Sequence, residues 1–158
     1  MAARSAAGPG VAVRQASPGD RDRLVEWNAA MALETEQRSL SRQTLEAGVA
    51  TVLADPGKGF YLIAEREGKP LGGLLVTFEW SDWRNAPMWW LQSVYVEPEG
   101  RGQGVFHALY DAVRARAERA GAAALRLYVE RDNRLAQKVY EGRGMRPSEY
   151  LMYEIALP

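Results

Sequence analysis

At Asp55-Pro56-Gly57 the spacing of apolar residues changes from about 3.6 to 2, and this change constrains the fold more than any other feature of the chain. Before it, Leu24, Trp27, Asn28 and Met31 recur at helical spacing behind a cap-like Ser17-Pro18, which predicts a helix over 18–32. Glu34 to Ser39 is polar and interrupts the pattern. Ser41 then opens a second helix carrying Leu45, Val49, Val52 and Leu53, which Pro56 and Gly57 stop. Beyond the break, 60–65 reads as a strand, 67–70 as a turn, 71–79 as an antiparallel partner, 82–87 as a loop and 88–96 as a third strand. A glycine-rich segment, a helix ending near Gly121, a strand over 124–130, a short helix over 133–142 and a final strand over 150–157 complete the order. With an opening strand at 11–14, the chain reads as one α+β domain over 11–158 behind a disordered tail at 1–10. No internal repeat is present.

Composition narrows the chemistry. The 158 residues suit one core, and 20 basic against 20 acidic side chains give a formal charge of zero, without the polycationic surface that nucleic-acid binding uses. No apolar run approaches the roughly 18 residues that span a bilayer, and the first ten residues lack the apolar centre of a signal peptide, so a cytoplasmic location without membrane partners is expected. The chain has no cysteine, which removes disulfides, thiolate metal sites and a cysteine nucleophile together. A single histidine, His107, makes histidine-rich metal sites hard to build, and no metal is expected. Carboxylates, tyrosine, serine, backbone dipoles or a cofactor remain.

The strand over 89–96 runs into Glu97-Pro98-Glu99-Gly100-Arg101-Gly102-Gln103-Gly104 and then a helix. Glycines at a helix mouth let the backbone approach a ligand, and the unpaired N–H groups and the dipole favour an anion. A plain strand-to-helix turn accounts for the same glycines. A Walker A loop is excluded, since Val105-Phe106 stands where it needs Lys and Ser or Thr. A dinucleotide fingerprint lacks its third glycine, which His107 replaces, although Glu130 keeps the acidic partner of that pattern in play. The three consecutive strands upstream argue against it.

The segment from Val94 to Val105, read with the helix behind it, resembles motif A of the GNAT superfamily of N-acetyltransferases, whose Arg/Gln-x-x-Gly-x-Gly/Ala loop holds the coenzyme A pyrophosphate. Asp132 to Met145, with Asn133, Ala136, Tyr140, Glu141 and Gly144, is similar to the superfamily's second signature, Asn-x-x-Ala-x-x-x-Tyr-Glu-x-x-Gly-Phe. Phe106 departs from the loop pattern, which usually has Gly or Ala there. The resemblance implies a mostly antiparallel sheet of six to seven strands, splayed between the fourth and fifth, with four helices. It implies acetyl-CoA as donor, with pantetheine along Val94, Tyr95 and Val96 and the pyrophosphate wrapped by Arg101, Gly102, Gln103, Gly104, Val105, Phe106 and His107. Asn133 would bond the pantetheine arm. Arg131, Arg134, Lys138 and Arg143 would meet the adenosine phosphates.

Acetyl transfer to a primary amine by direct attack needs the amine neutral and the departing thiolate stabilised. Deprotonating an alkylammonium of pKa about 10.4 costs roughly 4.6 kcal/mol at pH 7. The resemblance makes Tyr140 the donor to the coenzyme sulfur. Glu79 is the favoured base, with Glu34 second and Glu36 beside it, the last two in the polar break between the first two helices, where the resemblance implies the acceptor site. The stretch from Glu79 to Asn85 holds Trp80, Asp82 and Trp83, and four of the five tryptophans lie between Trp80 and Trp90. Aromatic faces with carboxylates suit a small-molecule or protein amine through cation–π contact of about 0.5 to 2 kcal/mol, and they suit a homodimer interface equally. A non-catalytic acyl-CoA-binding or sensor module is the rival to an enzyme. With basic groups at the coenzyme end and Glu34, Glu36, Glu79 and Asp82 at the acceptor end, zero net charge is expected to be cancellation across a dipolar cleft.

Overall fold

The structure, a computed structural model, describes residues 10–158, so the expected tail at 1–10 lies outside the described residues apart from Gly10. Contacts divide the chain into two units, Met1–Leu127 and Tyr128–Pro158.

In the first unit, β1 (Val11–Gln15) leads through a turn of 3-10 helix (Pro18–Asp20) into α1 (Arg21–Glu36) and α2 (Arg42–Ala54). Three strands follow, β2 (Phe60–Arg66), β3 (Lys69–Ser81) and β4 (Ala86–Val96), then a second 3-10 turn (Pro98–Gly100), α3 (Val105–Arg119) and β5 (Ala124–Arg126). The strands form one sheet in the order β1-β2-β3-β4-β5, antiparallel except for the parallel β4–β5 pair. Four antiparallel strands before the one parallel pair among the described residues rule out the dinucleotide fold, which is built from repeated parallel βαβ units.

Local chemistry sets these boundaries. Glu67 and Gly68 both have positive φ, 50° and 76°, which makes the two-residue β2–β3 connection the primed turn that matches strand twist. The Ser41 hydroxyl caps α2 by accepting from Thr44 N. Asp20 accepts two 2.8 Å bonds from Arg14, tying the entry of α1 to β1. The first helix runs further than the predicted 18–32: the Thr35 hydroxyl bonds the Met31 carbonyl, and the helix stops only at left-handed Gln37. Glu34 and Glu36 therefore belong to its last turn rather than to a polar loop.

The two faces of the sheet bury different residues. Leu24, Val25 and Trp27 of α1 and Val49 of α2 pack with Tyr61, Ile63 and Tyr95 on one face. On the other, Trp89 meets Phe60 and Phe78 edge-on at 5.4 Å each, and Arg116 of α3 stands over the Phe60 ring. Trp89 is buried and its neighbour Trp90 only partly so, as alternation across a strand demands.

The second unit contains α4 (Arg134–Gly142), capped by Asn133, whose side-chain oxygen accepts from Ala136 N. The expected final strand does not form. Residues 151–158 have no regular structure, and Tyr150, Tyr153, Ile155 and Leu157 are exposed. The fifth strand is also shorter than expected, ending at Arg126 instead of Glu130. The sheet thus has five strands among the described residues, not six to seven, with the expected four α-helices. A period of 2 permits a strand, but the ladder is made by a neighbour, and apolar run 150–153 does not even alternate.

Candidate active site

The geometry of interest begins in the middle of β4. Its register with β3 slips between Gly73 and Leu75, so that Ser93 and Val94 stand together against Leu74, and Ser93 takes a left-handed φ of 51°. This is a β-bulge, a device that re-aims backbone groups beside functional sites. Pairing with β5 covers only Met88–Trp90, so the stretch from Leu91 to Val96 keeps β3 on one edge and has no β5 partner on the other. The backbone that the sequence nominated for pantetheine, Val94 to Val96, lies in that stretch.

The glycine loop follows. Gly102 and Gly104 have φ of 73° and 79°, a conformation that costs other residues about 1–2 kcal/mol. A Cβ built on Gly102 would meet no heavy atom within 4 Å. Gly104 is the N-cap of α3 and supplies no side-chain cap, so the first N–H groups of a 15-residue helix open onto the loop. A chain that only needed to turn here could have used a capping Ser or Asp. These features fit an anionic pyrophosphate. Phe106 is half-buried with its ring 6.0 Å from that of Tyr110 on the next turn. Gln103 accepts from Arg66 Nη1 and donates to the Glu99 carbonyl, which fixes the loop from both sides.

Arg101 is engaged elsewhere than the loop it was expected to serve. Its Nη2 donates to Glu34 Oε2 at 2.8 Å, its Nε to the Val96 carbonyl at 3.0 Å, and its guanidinium stands over the Tyr95 ring at 5.8 Å. The Tyr95 hydroxyl donates to the other oxygen of Glu34 at 3.4 Å, and burial is the main reason its pKa is raised. Beside them, Trp27 Nε1 donates to Glu97 at 2.6 Å. Glu34, nominated for the acceptor end, thus sits against the glycine loop.

Glu79 is likewise paired. Its carboxylate accepts from Trp90 Nε1 and from Arg126 Nη1, each at 3.0 Å. Glu36 pairs with Arg38. The expected segregation of charge does not hold, because acidic and basic groups meet within the same clusters. Trp80 follows Glu79 on the strand and faces the opposite side of the sheet, opposite Pro87. Trp83 is 91% exposed in the β3–β4 turn, where its N–H donates to the Asp82 carboxylate. The structure does not gather Glu34, Glu79, Trp80, Asp82 and Trp83 into one pocket.

A pocket does exist where α1 and α2 cross the sheet, a cleft of about 410 Å³. Leu40, Leu45, Val49, Val52 and Leu75 supply its aliphatic wall, with Gly48 between them. Its polar groups come from Asn28, Ser41, Thr44, Tyr61 and Ser93. The Tyr61 phenol is raised by burial and hydrogen-bonded to Asn28. Sequence reading placed the acceptor end between the first two helices, at Glu34 and Glu36, but named none of the residues that line this cleft. Asn28 within an apolar helical stripe was the one available signal, and Ser93 gave none, since a bulge has no signature of its own.

In the second unit Tyr140 is half-buried on α4, and burial raises its pKa above the ordinary tyrosine value. Asn133 spends its carboxamide oxygen on the α4 cap and keeps its NH2 as a donor. Among the described residues no group of His, Asp and Glu is placed to hold a metal, and no helix is long and apolar enough to cross a membrane.

The sequence profile of the Acetyltransferase (GNAT) family matches residues 21–145. Two curated relatives, each named mycothiol acetyltransferase, come from Streptomyces griseus and Paenarthrobacter aurescens. The first is 37% identical over 91% of this chain and 46% of its own length, the second 34% over 85% and 42%. The chain spans less than half the length of these relatives. A crystal structure described as a possible acetyltransferase from Clostridium difficile 630 superposes with a TM-score of 0.88 at 35% identity, covering 94% of this chain and 98% of that one. A match over most of the chain, joined to the strand, loop and helix described above, shows that the chain belongs to the GNAT acetyltransferase family.

Proposed function

We propose that the protein transfers an acetyl group from acetyl-CoA to a primary amine by direct attack in a ternary complex. The observation that carries this reading is the open left-handed loop at Gly102 and Gly104, which delivers the N-terminus of α3 beside a β4 edge that β5 leaves after Trp90. Acetyl-CoA supplies the acetyl group already activated as a thioester. The backbone of Val94, Tyr95 and Val96 receives the pantetheine arm. The loop from Arg101 to His107 receives the pyrophosphate, and the Asn133 amide bonds the arm.

In the transfer, the amine nitrogen forms a bond to the acetyl carbon as the carbon–sulfur bond breaks. Tyr140 donates its proton to the departing sulfur. Burial favours its neutral form, the form that can donate. The acceptor's own proton leaves through water to Glu79. That carboxylate lies on the same face of β3 as Leu75 of the cleft, four residues and about 13 Å along the strand, so direct contact with an amine in the cleft is out of reach.

The test is release of coenzyme A thiol from acetyl-CoA with a panel of primary amines. Release above background for at least one amine, lost in Tyr140→Phe with acetyl-CoA binding retained, supports the reading. Tight acetyl-CoA binding with no turnover of any amine favours an acyl-CoA-binding module instead.

A further inference from the structure

Resting on the acetyl-transfer reading, and with the cleft between α1 and α2 as the acceptor end, we propose that the acceptor is a small molecule with a single ammonium on an uncharged, part-aliphatic body. None of the described residues lining that cleft is charged. The carboxylates nearest along its two helices are already bound. Arg42 holds Glu26 at 2.6 Å and Glu46 at 2.9 Å. Glu34 is held by Arg101, and Glu79 by Arg126. A polyamine or a lysine-rich peptide would bring a second ammonium into a wall of leucine, valine and hydroxyl groups, where it would find no counter-charge. A neutral body meets what it needs, because aliphatic carbons find Leu45, Val52 and Leu75 while hydroxyls find Thr44 and Ser93. Ser93 ties the cleft to the chemistry, since it lines the wall and immediately precedes the β4 backbone assigned to the donor. A volume of about 410 Å³ suits a small molecule better than a protein segment.

A matched pair of acceptors tests this. Aminohexanol and diaminohexane share a chain and differ in one hydroxyl against one second ammonium. Wild-type kcat/KM is expected to favour aminohexanol by tenfold or more. Thr44→Asp places a carboxylate in the wall while leaving α2 intact, because Thr44 stands three residues after the Ser41 cap, where an acidic residue favours the helix. In that variant the preference is expected to fall by at least tenfold toward the diamine, whereas Thr44→Asn, which changes the wall without adding charge, is expected to keep a ratio that favours aminohexanol whatever its effect on overall rate. Wild-type preference for diaminohexane overturns the proposal, as does a folded Thr44→Asp protein with an unchanged ratio. Failure of every amine to release coenzyme A overturns the transfer reading instead, so the two failures are distinguishable.

Discussion

Replacing Gly102 by alanine separates what the loop costs from what it does. The residue holds φ at 73°, and nothing lies within 4 Å of the position a Cβ would take. The methyl group therefore strains the backbone without striking the protein. Left-handed strain costs about 1–2 kcal/mol, and the lost freedom of the unfolded chain returns about 0.4–1 kcal/mol, leaving a net loss near 1 kcal/mol. For a chain of this size that lowers Tm by about 2–4 °C. The open space into which the methyl projects is the space assigned to the pyrophosphate. Displacing that group from the N–H donors is expected to weaken coenzyme A binding at least tenfold, equivalent to about 1.4 kcal/mol. Gly121 is the matched control, with φ of 72° and an equally open Cβ position, but at the far end of α3, about 22 Å away. Scanning calorimetry should give Gly102→Ala and Gly121→Ala the same small loss of Tm, whereas titration calorimetry with coenzyme A should separate them by tenfold or more. Equal coenzyme affinity in both variants would refute the assignment of the loop.

Four further outcomes follow from particular contacts. Tyr140→Phe should lower kcat by about 10- to 1000-fold with little change in acetyl-CoA affinity, and because burial raises the phenol's pKa above the ordinary value of about 10, stopped-flow profiles of wild-type kcat should show no loss assignable to Tyr140 below about pH 9. Asp20→Asn removes an ion pair that holds the aspartate well below its ordinary range, through hydrogen bonds from Arg14 first and from Ser17. It should cost about 1–3 kcal/mol near neutrality. Since the folded-state value is lowered, that contribution is complete above about pH 4 and disappears as the pH falls through the folded value, so urea melts of the two proteins should converge in acid. Glu34→Gln frees Arg101 from an exposed pair worth at most about 1 kcal/mol, so coenzyme A affinity measured by titration should rise by up to about fivefold with almost no change in Tm. Gly73→Ala would set a Cβ 2.9 Å from the Trp27 ring and 2.8 Å from the Leu62 carbonyl, and should cost about 1–3 kcal/mol with a shift in tryptophan emission.

The order of elements was legible because it rests on periodicity and punctuation, which are properties of short stretches. Pro56 and Gly57 stop a helix wherever they occur in one, and Glu67-Gly68 turns a hairpin on its own dihedral preferences. Lengths and partners depend on neighbours instead. The first helix outran its apolar stripe because Glu34, Thr35 and Glu36 are exposed in its last turn, and hydrophobic spacing cannot see residues that are held by hydrogen bonds and ion pairs instead of apolar packing. Tyr150 to Leu157 failed as a strand for the converse reason, since its composition suits a sheet but no ladder receives it.

The site divides along the same line. Glycines at 102 and 104 announce a left-handed loop because few other residues tolerate that backbone, so a one-dimensional signal carried real geometry. Charges carry none, because a carboxylate's role is fixed by whichever cation folding brings to it. Glu34 and Arg101 stand 67 positions apart and meet at 2.8 Å, and Glu79 and Arg126 stand 47 apart and meet at 3.0 Å. Each pair joins one residue expected to draw in an amine to one that neutralises it. What is left facing the space between α1 and α2 is the part of the surface that long-range pairing did not claim, hydroxyls and aliphatic carbon. The selectivity proposed for the cleft is thus a consequence of where the charges went, and replacing Thr44 by aspartate restores to its wall the counter-charge that folding placed elsewhere.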